Sequence, residues 1–292
     1  MMRLRSSWLR ACLILLACTM LFACDTKELT RKHVRLAYVE WASERASANL
    51  IKVLLERQGY QVEIIPVSAA AMWQSVAEGY VDVIVGAWLP ETHRNYWRKV
   101  KGKVEDLGVN MHGTQLGLVV PTYMQVNSIG QLNQYAKACQ RQIIGVDPGS
   151  GVMIKTEEAI NAYHLDFKLV QGSGAIMTAA LSAAINRHQP IVITGWAPHW
   201  MFDRWSLKFL QDPKHIYGKE GDVHTIVRRG LQQDKPFIYD FFKRFHWTRQ
   251  QMQQLMLLNE KPHSDPYENA KRWLLKHPDF GASFSAASSV EE

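Results

Sequence analysis

Cysteine is nearly missing from the body of this 292-residue chain: three of its four cysteines fall within the first 24 positions, and only Cys139 remains beyond them. A lone thiol excludes an internal disulfide framework, and with no His or Cys close by in sequence it offers neither a nucleophile pair nor a metal site. The common enzyme signatures are missing too. The sequence has no G-x-S-x-G elbow, no H-E-x-x-H, no Walker A lysine loop and no G-x-G-x-x-G. Charge of one sign is scarce: the net charge is +7, three basic residues lie among the first 23, and the remainder carries 31 basic against 27 acidic side chains. So mild and scattered an excess argues against a nucleic-acid footprint. Apolar runs are short as well, and the one from Ala11 to Ala23 falls below the length needed to cross a bilayer.

That run follows the basic start MMRLRSSWLR, which together read as a signal peptide over residues 1–23. Leu21-Phe22-Ala23-Cys24 resembles a bacterial lipobox, with Cys24 as the lipidated first residue of the mature chain. Asp25 resembles a signal for retention at the inner membrane, on its periplasmic face, if the cell is Gram-negative. Residues 24–32 are polar and form a short tether.

The rest alternates apolar strands with helices. VRLAYVE, QVEIIPV and VDVIVGAW read as strands around helices that begin at Ser43 and at Ala69. QIIGVD, FKLVQG and PIVITGW repeat the pattern around two more helices. This rhythm predicts two α/β lobes, each a mixed, mostly parallel sheet flanked by helices. The expected division is 33–118 plus 229–280 for the first lobe and 119–228 for the second, with 281–292 a frayed tail. LGLVVP (116–121) and VHTIVRR (223–229) are placed to cross between the lobes. Three helical segments after Lys235 are expected to return to the first lobe.

Ten tryptophans are many, and their positions are informative. Trp73, Trp200, Trp205, Trp247 and Trp273 have apolar partners at helical spacing and read as core. Trp41, Trp88 and Trp196 instead follow LAYVE, VIVGA and IVITG, at the carboxyl ends of predicted strands, the edge where open α/β sheets bind ligands. Two of them share a phrase, small-Trp-x-Pro, in GAWLPETH and TGWAPHW, where each proline suits a first helical turn. GVDPGSGV (145–152) is another strand-to-helix junction, whose glycines at 149 and 151 and the amides that start the following helix suit a small anion. His93 stands near enough to Trp88 to donate a hydrogen bond to the same anion. Aromatic faces opposite amide donors complement a zwitterion with a quaternary ammonium, which attracts indole faces but donates no hydrogen bond. Three rings supply about 2 to 6 kcal/mol. A micromolar site needs about 8 kcal/mol, so the anion half must contribute the rest.

These residues carry a resemblance. LAYVEWASE, VGAWLPETH, GLVVP, VDPGSGVM and ITGWAPHWMF, in this order, resemble the OpuAC type of substrate-binding lipoprotein from osmoprotectant ABC importers, over nearly the whole mature chain. The resemblance implies a two-lobed periplasmic-binding-protein fold of the type II kind with two crossover segments. It implies a cage of Trp41, Trp88 and Trp196 around a trimethylammonium, a carboxylate held by His93 and the amides of Gly151 and Val152, and no metal or cofactor. Implied partners are a zwitterion such as glycine betaine and the importer's permease and ATPase, with the protein a monomer held at the membrane by its lipid. Ala42 stands where the family carries an aspartate, and Val152 where isoleucine is common; both bear on ranking among betaine, proline betaine and sulfonium analogues. Competing readings are a binding protein for choline, carnitine or proline betaine, a periplasmic enzyme using Asp147 or Glu91 on such a zwitterion, and an interaction protein whose tryptophans meet a partner.

Overall fold

A computed structural model describes residues 32–284. The expected signal peptide, Cys24, nearly all of the tether and residues 285–292 lie outside them. The first half runs β1 (His33–Tyr38), α1 (Ala42–Glu56), β2 (Gln61–Pro66), α2 (Ala69–Ala77), β3 (Val83–Leu89) and α3 (Arg94–Val100). A long β4 (Val104–Pro121) leads into β5 (Gln142–Ile144), α4 (Gly151–Ala162), β6 (Lys168–Val170), α5 (Gly174–Asn186), β7 (Val192–Ala197), α6 (Met201–Arg204) and β8 (Leu207–Phe209). β9 (Gly221–Arg228) returns, followed by α7 (Leu231–Asp234), α8 (Pro236–Arg244), α9 (Arg249–Asn259), α10 (Pro266–Lys276) and α11 (Pro278–Ala282).

Among the described residues the strands join in the order β2-β1-β3-β9-β4-β7-β5-β6, with β8 beside β4. Each half holds three parallel strands, β2-β1-β3 and β7-β5-β6, as the alternating pattern predicts. The join between them is antiparallel throughout: β9 pairs with β3 and β4, and β4 with β7 and β8. The sheet is therefore evenly mixed, where the sequence pattern suggests mostly parallel pairing. β4 is the strand common to both halves. Its residues up to Thr114 pair with β9, and from Gln115 onward with β7. The segment 223–229 behaves differently from its expectation, because β9 pairs on both flanks within the first half rather than crossing.

Local chemistry explains the elements that frame the site. β3 is VIVGAWL with every residue buried, as a strand covered on both faces should be. α8 has Pro236 at its start, where the missing N–H is harmless, and buries Ile238, Tyr239, Phe241 and Phe242 on one face. α9 and α10 pack on α1, so the carboxyl-terminal helices lie against the first half. Phe284 closes that layer, buried against Phe241 at a ring separation of 5.3 Å.

One buried charge binds this layer to the sheet. Asp82, just before β3, is fully buried; Lys235 Nζ donates to its Oδ2 at 2.8 Å and Arg228 Nε to its Oδ1 at 2.9 Å. The backbone N–H of Arg35 adds a third bond at 2.9 Å, and these donors hold the carboxyl below the usual aspartate range despite its burial. Cys139 is buried, and that burial pushes its thiol up to about 11, which makes it a small core residue rather than a nucleophile.

Candidate ligand site

Trp88 and Trp196 occupy corresponding places, near the carboxyl ends of β3 and β7, opposite Val223 of β9 and Leu116 of β4. Trp41 lies beyond the end of β1 and is the N-cap residue of α1. All three are nearly buried, at 9%, 5% and 6% exposure for Trp41, Trp88 and Trp196. They line one cavity together with His93, Gly151 and Val152, so all six residues singled out by sequence meet in one place. The cavity is small, with about 30 Å³ open to the centre of a water-sized sphere.

The shared phrase extends into the backbone, for the Leu89-Pro90 and Ala197-Pro198 peptide bonds are both cis. Neither proline begins a helix. Residues 90–93 form a turn, His93 is the N-cap residue of α3, and α6 starts three residues after Pro198. The reading of a first helical turn at each proline is thus corrected: both helices begin later, and His93 stands just before its own.

The turn fixes His93 by a reciprocal pair. The Trp88 N–H donates to His93 Nδ1 at 3.1 Å, and the His93 N–H donates to the Trp88 carbonyl at 2.9 Å. With Nδ1 accepting, the ring proton sits on Nε2, leaving that N–H to serve as a donor. Burial pushes the ring's pKa down to about 3, so His93 is neutral at physiological pH. The second half has a counterpart that the sequence reading passed over. His199, beside Pro198, accepts the Met201 N–H on its own Nδ1 at 3.1 Å, and burial lowers its pKa to about 3 as well. It stands edge-on to Trp196 at 4.8 Å and buttresses that ring instead of lining the cavity. The signal was present in WAPH, a histidine placed after the same Trp-x-Pro.

Facing these rings is the start of α4. Its first amides, at Gly151 and Val152, have no carbonyl one turn back to accept them. The N-cap residue Ser150 makes no capping bond, and its Oγ is buried without a hydrogen-bond partner while the residue lines the cavity. Ser150, Ser43, Thr92, Leu116 and Val146 complete the wall and were not among the predicted residues; small side chains in no repeating pattern give sequence reasoning nothing to hold. No lining residue carries a charge at neutral pH.

The glycines act differently from their expected part. Gly149 has φ +82°, a left-handed conformation that favours glycine. At Gly151 a Cβ would fall 2.6 Å from the Thr92 carbonyl, so the close approach is to the opposite half of the protein. The two halves also touch through Tyr96, whose hydroxyl donates to the Gly149 carbonyl at 2.8 Å, and through Trp41, whose Nε1–H donates to Asp147 Oδ2 at 2.9 Å. Asp147 is thereby engaged by an indole, and Glu91 pairs with Arg94.

Beneath Trp41 and Trp88 lies a buried carboxyl, Glu44. Its Oε2 accepts the Val39 N–H at 2.8 Å, and Val39 in turn accepts the Trp41 N–H at 2.6 Å. The Glu44 side chain fills the space where any residue but glycine at 86, two positions before Trp88, would place its Cβ. Burial pushes this carboxyl up to about 8.

Comparison with known proteins places these features in context. Residues 32–276 match the OpuAC family, described as the substrate binding domain of ABC-type glycine betaine transport systems. The chain is 47% identical over 141 residues to the glycine betaine/carnitine transport binding protein of Listeria monocytogenes, a match that covers 47% of this chain and 46% of that protein. The chain thus aligns with about half the length of that curated relative. Its structure is similar to lactococcal OpuAC in a closed, liganded conformation with glycine betaine, at 40% identity and a TM-score of 0.82 over 86% of this chain and 98% of the other. It is likewise similar to a glycine betaine/L-proline-binding protein from Borrelia burgdorferi, at 37% identity and a TM-score of 0.83 over 86% and 96%.

Proposed function

The chain belongs to the family of substrate-binding domains of ABC-type glycine betaine transport systems, and from that premise we propose that its cavity holds one molecule of glycine betaine or a close analogue between two closing lobes. Trp41, Trp88 and Trp196 surround the trimethylammonium. The amides of Gly151 and Val152 take the carboxylate, with the Nε2–H of His93 and the hydroxyl of Ser150 as further donors. The observation that carries this reading is the composition of the wall: three indoles, first-turn amides, a neutral imidazole and an unpartnered hydroxyl, without one ionised side chain. Such a wall suits a ligand whose own charges cancel, since an ion of either sign would be buried without a countercharge.

The protein is an extracytoplasmic binding component and not an enzyme, as its family implies. Residues 33–114, together with β9 and the helices that follow it, form one lobe and 115–220 the other, since β9 pairs with β3 and with the first part of β4. A ligand that touches both lobes only when they meet shifts the population toward the closed form. That form docks on a permease driven by an ATPase, and acylated Cys24 keeps the monomer at the membrane surface.

Titration of the purified protein with glycine betaine, proline betaine, carnitine and choline, followed by tryptophan fluorescence, tests the reading. Glycine betaine is expected to bind at micromolar concentration and choline, which lacks the carboxylate, far more weakly. Trp88→Ala is expected to lose tenfold or more in affinity, or about 1.4 kcal/mol and upward. Equal binding of choline, or wild-type affinity in that variant, would overturn the assignment.

A further inference from the structure

Resting on the reading of the cavity as a betaine cage, we propose that Asp147 is a positioning residue for the cation half of the site: through the indole N–H of Trp41 it fixes one wall across the cleft and raises that wall's attraction for a positive charge. The bond of 2.9 Å joins the N-cap residue of α1 to the turn after β5, two places on opposite halves of the sheet. It exists only while the halves are in contact. The same turn is gripped by Tyr96 Oη on the Gly149 carbonyl and by Thr92 against Gly151, so Trp41 receives its partner as the cleft shuts.

The chemistry makes this more than a clasp. Among the described residues no cation pairs with Asp147, and its carboxylate is aimed at the indole edge. An N–H donated to an anion leaves more electron density on the ring, and the ring's face is what a quaternary ammonium meets. The anion itself lies behind the wall, half-buried at the edge of the indole rather than inside the cavity. A carboxylate inside the cage would attract primary amines and water; one placed behind an indole supplies charge to a cation that cannot hydrogen-bond.

The test compares two ligands of one shape. Glycine betaine and 3,3-dimethylbutanoate differ in having nitrogen or carbon at the trimethyl centre, hence in charge alone. Calorimetric and competition titrations of the full mature protein would use Asp147→Asn, which keeps an acceptor, Asp147→Ala, Trp41→Phe and the double variant Asp147→Ala/Trp41→Phe. Asp147→Ala is expected to lose tenfold or more for glycine betaine and less for 3,3-dimethylbutanoate, whose trimethyl head carries no charge, with Asp147→Asn intermediate. In the Trp41→Phe background the same change should matter less than threefold. A loss within twofold, an equal loss for both ligands, or an undiminished loss in the Trp41→Phe background would overturn the proposal. Should Asp147→Ala fail to fold, the near-isosteric Asp147→Asn carries the comparison of ligands. Wild-type protein that fails to take up glycine betaine would instead overturn the cage reading itself, which separates the two outcomes.

Discussion

Glu44 illustrates how a single residue can serve a site it does not touch. Its carboxyl is buried with one backbone donor and, among the described residues, no ion pair, so the charged form is disfavoured and the pKa rises from 4.5 to about 8. The folded protein therefore holds a proton there that the unfolded chain releases. That contribution is complete below pH 4.5 and is lost as pH rises toward 8. His93 and His199 act in the opposite sense: neutral in the fold down to about pH 3 against 6.5 when unfolded, they withdraw stability as pH falls below 6.5. Between pH 4.5 and 6.5 the two histidines outweigh the one carboxyl; from 6.5 to 8 Glu44 acts alone. Glu44→Gln, which mimics the protonated group, should gain on wild type by more than about 1 kcal/mol between pH 5 and 8.5. Urea melts of the unliganded proteins at those two pH values measure it, and parallel curves would show that Glu44 is ionised in the fold. At this scale the sequence was generous with the tryptophans and silent on their supports. A Trp at a strand end declares itself by position, whereas Glu44, Ser150 and Asp147 acquire their parts from neighbours far away in the chain.

Elements were legible wherever their hydrophobic period was intact. The helices over 42–56, 69–77, 151–162 and 174–186 and the strands between them fall within a few residues of the pattern. β4 did not, and only its second part, 116–121, was foreseen. Its first part carries Gly108 and Gly113 at positive φ, and its pairing with β9 shifts register three times, so alternation never persists long enough to read. The join of the carboxyl-terminal helices to the sheet was equally hidden, because it depends on Asp82 meeting Lys235 from 153 residues away. Asp82→Ala leaves Lys235, only 7% exposed, without its countercharge, and should cost about 3 to 5 kcal/mol in unfolding free energy. Adding Lys235→Met should recover part of that loss, since the orphaned charge leaves with it. Chemical denaturation of the two variants decides the point; no recovery would mean that Arg228 and Arg35 dominate the cluster.

For the molecule as a whole, the contact at Gly151 matters most. A methyl group there would strike the Thr92 carbonyl across the cleft, yet it would meet nothing of the kind if the halves stood apart. Gly151→Ala is therefore expected to leave thermal stability of the unliganded protein nearly unchanged while weakening glycine betaine binding tenfold or more. A variant that binds normally would show that Thr92 yields or that the halves need not approach so closely.

β4 also decides how much movement a ligand can command. The strand exchanges β9 for β7 between Thr114 and Gln115, and Leu116, its next residue but one, lines the cavity. On the proposed function, a ligand would rest about 7 Å from the fulcrum of the two lobes, two strand residues away. Pressed so close to the pivot, a lever has a short input arm and long output arms, so a cation head slightly too wide would hold the rims apart by several times its excess. On the proposed function, a permease partner would then gauge a ligand's girth by the gape of the jaws, without touching the ligand.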